Sequence, residues 1–343
     1  MLATAPKTGS QPNPSATWKR IVEGVEPFLG AVALRLSSQV DSFEPEIAEY
    51  ARYALTAQGK QLRPTLVALS AEATGKWTDA HVTAAVIIEM VHLATLVHDD
   101  VMDEAEIRRG QPTVAQRWGN EISVLLGDCL FAQALKLAAS FPTTEICRAV
   151  SSATKTVCSG EILQTQQRGN FQITRETYYR VLSMKTAELF ALSCDLGGFL
   201  SGATPEHRSA LRRYGMALGT AYQLYDDGLD LFGSEKIAGK SLGTDLAKGK
   251  VTLPVLVALE RAGQEERDDL VALLGKGDGT AWASLMKSLS RHDCLSETQR
   301  AIGSHLGEAR RHLQALQPSQ GQTALEHLTE FLASLSAALE SPA

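Results

Sequence analysis

The chain has 343 residues, 44% of them hydrophobic and 6% aromatic, with a formal charge of −6. That content supplies a large core, and the acidic balance argues against general nucleic-acid binding. Five cysteines (Cys129, Cys147, Cys158, Cys194, Cys294) form no CxxC pair, so they read as small buried residues of a reducing, cytoplasmic compartment.

Charges interrupt the apolar runs before spanning length, so no transmembrane segment is expected. Residues 1–16, MLATAPKTGSQPNPSA, are rich in Pro, Ser and Thr, which predicts a disordered tail and no secretory signal. No linker divides the remainder, so one domain is expected over residues 17–340. Apolar residues recur at helical spacing from Trp18 to Leu36, and a second helix is expected over Glu44–Leu55. The stretch QGKQLRP (58–64) breaks the pattern, with Pro64 placed to begin the next helix and Gly75 to close it. From Ala80 to Glu104, Val82, Val86, Met90, Leu93, Val97 and Val101 fall at steps of three and four, which predicts a long buried helix. It ends in Asp99, Asp100 and Asp103, with Arg108 and Arg109 just beyond.

Residues 113–139 give a helix or a pair broken at Gly119 and Asn120. Segments 144–167 and 174–200 follow, and 205–232 carries a second cluster, Asp226, Asp227 and Asp230. Residues 233–250, GSEKIAGKSLGTDLAKGK, read as a mobile basic loop. Helix resumes over Val251–Ala262, and shorter helices reach the end. Strand alternation and a fixed repeat length are both missing from the pattern. The expected fold is therefore all-α, a large single-domain helical bundle.

Asp99 and Asp103 are four apart, so their carboxylates share one helix face, and Gln223, Asp226 and Asp230 share another. Like charges so placed destabilise a helix unless a cation lies between them. Few hard oxygen ligands, with room left for water and phosphate, suit Mg²⁺. One such cluster alone is better read as a solvated helix end; two, 127 residues apart, can face each other across a helix-lined cavity. Cations stand in the breaks: Lys60 with Arg63, Arg108 with Arg109, and singly Lys185, Lys240 and Lys250. Arginine forks and lysine point charges bind phosphate oxygens. His92 lies two turns before Asp99, and reads either as a core histidine or as a phosphate donor. His98 beside Asp99 suggests an HD phosphohydrolase pair, but the other histidines lie in no matching arrangement.

The motifs GKQLRP (59–64), HLATLVHDDVMDEAEIRRG (92–110), GDCLF (127–131), GEILQ (160–164), KTAELF (185–190), YQLYDDGLD (222–230) and GKSLGTDLAKGKVTLP (239–254) resemble those of the trans-isoprenyl diphosphate synthases. The resemblance runs over nearly the whole chain and is nearest the hexaprenyl-to-decaprenyl synthases. It implies an isoprenoid-synthase bundle with a central active-site cavity, working as a homodimer. Isopentenyl diphosphate and an allylic diphosphate would be the substrates, with three Mg²⁺ per substrate-loaded site. Asp99, Asp103 and Asp226 would be principal ligands, supported by Asp100, Asp227 and Asp230. Lys60, Arg63, His92 and Arg109 would hold the isopentenyl diphosphate. Arg108, Lys185 and Lys240 would hold the allylic diphosphate, with Lys250 near the diphosphate and the closing loop. Thr186 and Gln223 would offer oxygen dipoles to an allylic cation formed by ionisation, before condensation and elimination.

The growing tail would run beside the helix that precedes the first cluster, so Ala94 and Thr95, with Val91 and Ile87 below, are the expected chain-length residues. None is aromatic, and each helical turn of about 5.4 Å is comparable to one isoprene unit. The expected product is longer than C20; a short-chain farnesyl or geranylgeranyl synthase is the alternative. A terpene cyclase would have little use for Lys60, Arg63 and Arg109. A non-catalytic partner subunit would usually lack one acidic cluster, and both are here. Tyr225 and Gly228 depart from the bulky aliphatics common beside the second cluster.

Overall fold

The computed structural model describes residues 14–56, 59–234, 242–275 and 282–340. It is a helical bundle: α1 Pro14–Val22, α2 Glu26–Ser38, α3 Pro45–Thr56, α4 Leu62–Thr74, α5 Asp79–Met102, α6 Val114–Trp118, α7 Asn120–Ala139, α8 Thr144–Gln166, α9 Arg175–Leu182, α10 Glu188–Leu200 and α11 Pro205–Phe232. After these come α12 Thr244–Ala247, α13 Leu253–Arg261, α14 Gln264–Leu274, α15 Trp282–Arg291, α16 Cys294–Leu313 and α17 Gln320–Ala337. Helix α1 starts inside the stretch read as tail. The helix expected from Trp18 to Leu36 is broken by a 3₁₀ turn at Glu23–Val25, where Gly24 weakens helical propensity.

The core is built around α4, α5, α10 and α11. Helices α7 and α8 flank α5, and α16 and α17 pack on α11 and α4. In α5, Ile87, Ile88, Met90 and Ala94 are fully buried, because α2, α4, α7 and α10 all pack on it. Its N-terminus is tied to α10: the Thr78 N–H donates to His81 Nδ1 at 2.9 Å, and His81 Nε2 lies 3.1 Å from the Gly197 carbonyl oxygen. Helices α5 and α7 are both long and apolar enough to cross a membrane by length and composition, contrary to the sequence expectation. The apolar window of α5 is 72% buried inside the fold, whereas that of α7 is only 39% buried.

Two small-residue features place the site. Gly215 and Gly219, one turn apart on α11, meet α10 and the turn before it at backbone distance. A Cβ would lie 2.5 Å from the Phe190 carbonyl oxygen at Gly215 and 2.7 Å from Ala187 Cα at Gly219. This close approach carries the next turn of α11, with Gln223, against Thr186. Gly219→Val is therefore expected to destabilise the fold by about 1–3 kcal/mol through overpacking, and to slow turnover by parting Gln223 from Thr186. Denaturant unfolding alongside steady-state kinetics checks both; unchanged kinetics in a destabilised variant contradicts the link. Gly228, unexplained by sequence, faces Thr298 of α16 and Leu339, 3.4 and 3.2 Å from its Cβ position. It serves helix packing rather than a ligand.

One short ladder stands outside the all-helical expectation. Ile107–Arg108 pairs antiparallel with Gln111–Pro112, closed by Arg109 and Gly110, both at positive φ (53° and 75°). That two-residue turn suits a tight hairpin and aims the adjacent arginines at different partners.

Candidate active site

The two acidic helix ends open on one cavity of about 1360 Å³. Asp99 and Asp103 enter from α5, and Asp226 and Asp227 from α11. Arg63, His92, Arg108, Arg109, Lys185, Thr186, Gln223 and Lys250 line the same space. Lys60 is exposed and stands outside the lining, and Lys240 lies outside the described residues.

Lys185 and Thr186 sit on a π turn, Ser183–Ala187, between α9 and α10; such widened turns recur at functional sites. Gly160 of GEILQ lets this turn lie against α8, since a Cβ there would be 2.8 Å from the Lys185 backbone nitrogen. Lys185 Nζ pairs with Glu161, donates to Gln164 Oε1 at 2.9 Å and lies 3.5 Å from Asp99. Burial pulls the Lys185 ammonium down, but Asp99 and Glu161 more than reverse this, so it stays charged. Burial and Asp99 together push the Glu161 carboxyl up.

Asp103 is held by three cations: Arg168 at 2.6 Å, Lys250 at 2.9 Å and Lys248 at 3.4 Å. Burial alone raises its carboxyl, and Lys250, Lys248 and Lys185 outweigh that to leave it low and ionised. The 167–170 turn also meets the basic segment through its backbone, Gly169 N–H donating to the Gly249 carbonyl at 2.8 Å. The sequence reading singled out neither Arg168 nor Lys248 nor Glu161. The Gly-rich flanks of the first two and the GEILQ motif of the third were the available signals.

Two aspartates are placed differently from expectation. Asp100 is 4% exposed, stands outside the lining and grips Arg108 in a forked pair, at 2.7 Å to one guanidinium nitrogen and 2.8 Å to Nε. It faces the hairpin because it is one residue, about 100°, round the helix from Asp99. Asp230 is 1% exposed and accepts from the Thr244 hydroxyl at 2.9 Å and the Asp245 N–H at 3.1 Å. It anchors α12, the end of the basic segment.

Burial, with Arg63, Arg109 and Arg108 nearby, holds His92 well below the usual imidazole range. It is neutral and has a single N–H to donate. The Arg63 guanidinium lies 5.2 Å from the centre of the Phe190 ring, with Nε buried and unpartnered. Burial pushes the nearby Glu89 carboxyl up, against the pull of Arg63 and Arg109.

Of the chain-length residues, Thr95 faces the cavity, its hydroxyl donating back to the His92 carbonyl at 2.7 Å. Ala94, Val91 and Ile87 are at most 1% exposed and stand outside the lining. Ala94 is one turn from His98, which packs on α7 at Phe131, and is itself fully buried in the core. The apolar wall consists of Thr95, Leu96, Val157, Leu189 and Phe131, and it reaches Val124 and Ile162 on the outer faces of α7 and α8. Those two are 42% and 61% exposed.

Among the described residues, no three His, Cys, Asp or Glu side chains converge into a protein-only metal cage. The donors are carboxylates on opposite walls, interleaved with phosphate-binding cations. This fits Mg²⁺, which takes one or two carboxylates and completes its shell with substrate phosphate and water. The arrangement defines a class: a helical enzyme that binds metal-complexed diphosphates beside an apolar channel.

The comparisons with known proteins are specific. The family profile described as "Polyprenyl synthetase" matches residues 44–289. The octaprenyl diphosphate synthase of Escherichia coli K12 is 37% identical over 261 residues, covering 76% of this chain and 81% of that protein. The short chain isoprenyl diphosphate synthase of Methanothermobacter thermautotrophicus is 33% identical over 304 residues, 87% of this chain and 93% of its own. A crystal structure of the Caulobacter crescentus polyprenyl synthase, complexed with calcium and isoprenyl diphosphate, superposes with a TM-score of 0.86 at 30% identity, covering 96% of this chain and 99% of that one. The chain belongs to the polyprenyl synthetase family. It is a trans-polyprenyl diphosphate synthase, a prenyltransferase of a Mg²⁺-dependent family whose substrates are isopentenyl diphosphate and an allylic diphosphate.

Proposed function

We propose that this chain extends an allylic diphosphate with isopentenyl diphosphate to an all-trans product longer than C20, as a cytoplasmic homodimer. The observation that carries the length is the absence of an aromatic floor at Thr95, with an apolar wall continuing to Val124 and Ile162. Relatives of this chain include both a short-chain and an octaprenyl synthase, so length rests on the cavity. Incubation with farnesyl and isopentenyl diphosphates is expected to give products beyond C20; products stopping at C15 or C20 contradict the reading.

In this reading Asp99, Asp103 and Asp226 hold Mg²⁺, three ions with substrate bound, and the ions supply charge stabilisation for the departing diphosphate. Lys185, Arg108 and Lys250 bind that diphosphate, and Lys240 joins them by its place in the motif. Arg63, Arg109 and neutral His92 orient the second diphosphate, with Lys60 at its edge. The isopentenyl double bond attacks the allylic carbon. The proton is lost to the departing pyrophosphate. Asp100 acts by orienting Arg108, and Asp230 by tying down α12.

For the homodimer, support comes from α7, whose Val124 and Leu125 are 42% and 60% exposed, with Val124 on the same cavity as the exposed Ile162 of α8. Contiguous apolar surface of this kind marks an interaction site. A second copy seated there also closes the outer side of the channel. Leu125→Asp is expected to turn a dimer into a monomer in sedimentation velocity; a dimer of unchanged strength places the contact elsewhere. Of the five cysteines only Cys194 and Cys294 are buried, while Cys129 and Cys147 are half-buried and Cys158 is exposed, so they are not the uniformly buried set expected from sequence.

A further inference from the structure

The proposed site leaves unexplained a chain of hydrogen bonds that begins behind it. The Tyr178 hydroxyl of α9 donates to Asp227 Oδ2 at 2.5 Å, and Gln223 Nε2 donates to Asp227 Oδ1 at 2.8 Å. The Thr186 hydroxyl in turn donates to Gln223 Oε1 at 2.8 Å. Tyr178 and Asp227 are each 4% exposed and Thr186 is 8% exposed.

The direction of the chain follows from what each group can do. Burial and Asp245 push the Asp227 carboxyl up to about 7, while the hydrogen bonds from Tyr178 and Gln223 favour its ionised form, in which both oxygens accept, one from the phenol and the other from the Gln223 amide. The amide is thereby turned with Nε2 toward Asp227 and Oε1 toward Thr186. Thr186 must then donate, and its oxygen lone pairs are left for the cavity, where positive charge develops on the allylic carbons. Reversing the amide would make Thr186 an acceptor and turn its proton toward that charge. The phenol is a dependable donor, because burial and Asp227 hold it well above the usual tyrosine range.

We infer that Tyr178 is a positioning residue for prenyl transfer: through Asp227 and Gln223 it fixes the Thr186 hydroxyl with its oxygen facing the allylic cation. Asp227 is then the anchor of this relay rather than a metal ligand, which separates it from its neighbour Asp226. The inference rests on the prenyl-transfer reading above and on the role that the family resemblance implies for Thr186, and a dipole preset before reaction stabilises a transition state without reorganisation.

The test is a mutant cycle on the full-length enzyme with Mg²⁺, using Tyr178→Phe, Thr186→Val and the double variant. Alongside kinetics, calorimetry measures binding of an unreactive thio-analogue of the allylic diphosphate. Tyr178→Phe is expected to lower kcat by about 10- to 100-fold, with KM values and analogue Kd within about twofold. The double variant is expected to be as slow as Thr186→Val alone, because residues that act as one unit are not additive. Thr186→Ser, which keeps the hydroxyl, should restore most of the rate. If Tyr178→Phe folds poorly, Gln223→Leu breaks the same chain one link on and should match Thr186→Val. A Tyr178→Phe enzyme with normal kcat, a loss confined to KM and Kd, or multiplying losses in the double variant overturns the relay. A Thr186→Val enzyme with normal kcat overturns the assigned role of Thr186 itself.

Discussion

Asp99→Ala and Asp226→Ala are each expected to lower kcat at least about a thousandfold, equivalent to about 4 kcal/mol of transition-state stabilisation. The two carboxylates project from α5 and α11 into the same cavity, and each would hold metal against the diphosphate leaving group. Neither replacement should harm the fold, since each removes a half-buried charge from a crowded acidic helix end. Asp100→Asn should behave differently. Asp100 grips Arg108, so its loss should fall mainly on KM for the allylic diphosphate. Steady-state kinetics with circular dichroism tests the contrast; equal losses in kcat for all three variants would remove the distinction between ligand and support.

The second large effect concerns product length. Thr95→Phe is expected to shorten the main product to C20 or less, because Thr95 already faces the cavity and an aromatic ring there closes the channel about one helical turn below Asp99. Ala94→Phe should shorten it as well, by a less direct route. Ala94 is fully buried, so a ring must leave the packed contact for the nearest open space, with an overpacking cost of about 1–3 kcal/mol. Chromatography of dephosphorylated products with a farnesyl diphosphate starter checks both. A Thr95→Phe enzyme with unchanged product length would move the floor toward Phe131 and Leu189.

Much of this molecule is legible in sequence because its signals are local. The period of α5 gives a buried helix ending in carboxylates, and Thr204, Pro205 and Gly233 punctuate α11 at the ends read from sequence. What periodicity misses lies in contacts between distant segments. Arg168 meets Asp103 across 65 residues and Tyr178 meets Asp227 across 49; neither pairing leaves a mark in spacing. Asp100 and Asp230 sat in acidic motifs that suggested metal, yet one residue of helical rotation turns Asp100 to Arg108, and the return of the basic segment captures Asp230. The same rotation separates Thr95, on the cavity, from Ala94, inside the core. The hairpin at 107–112 was missed because two-residue strands carry no alternation.

The central claim is that the two acidic helix ends act together on one metal-bound diphosphate. Titration with Mn²⁺, followed by electron paramagnetic resonance with and without an unreactive allylic thiolodiphosphate, tests it most directly. The expected result is weak Mn²⁺ uptake by the enzyme alone and tight uptake of three ions per site with the analogue, lost in both Asp99→Ala and Asp226→Ala. Uptake that is indifferent to the analogue, or that survives either substitution, contradicts the account.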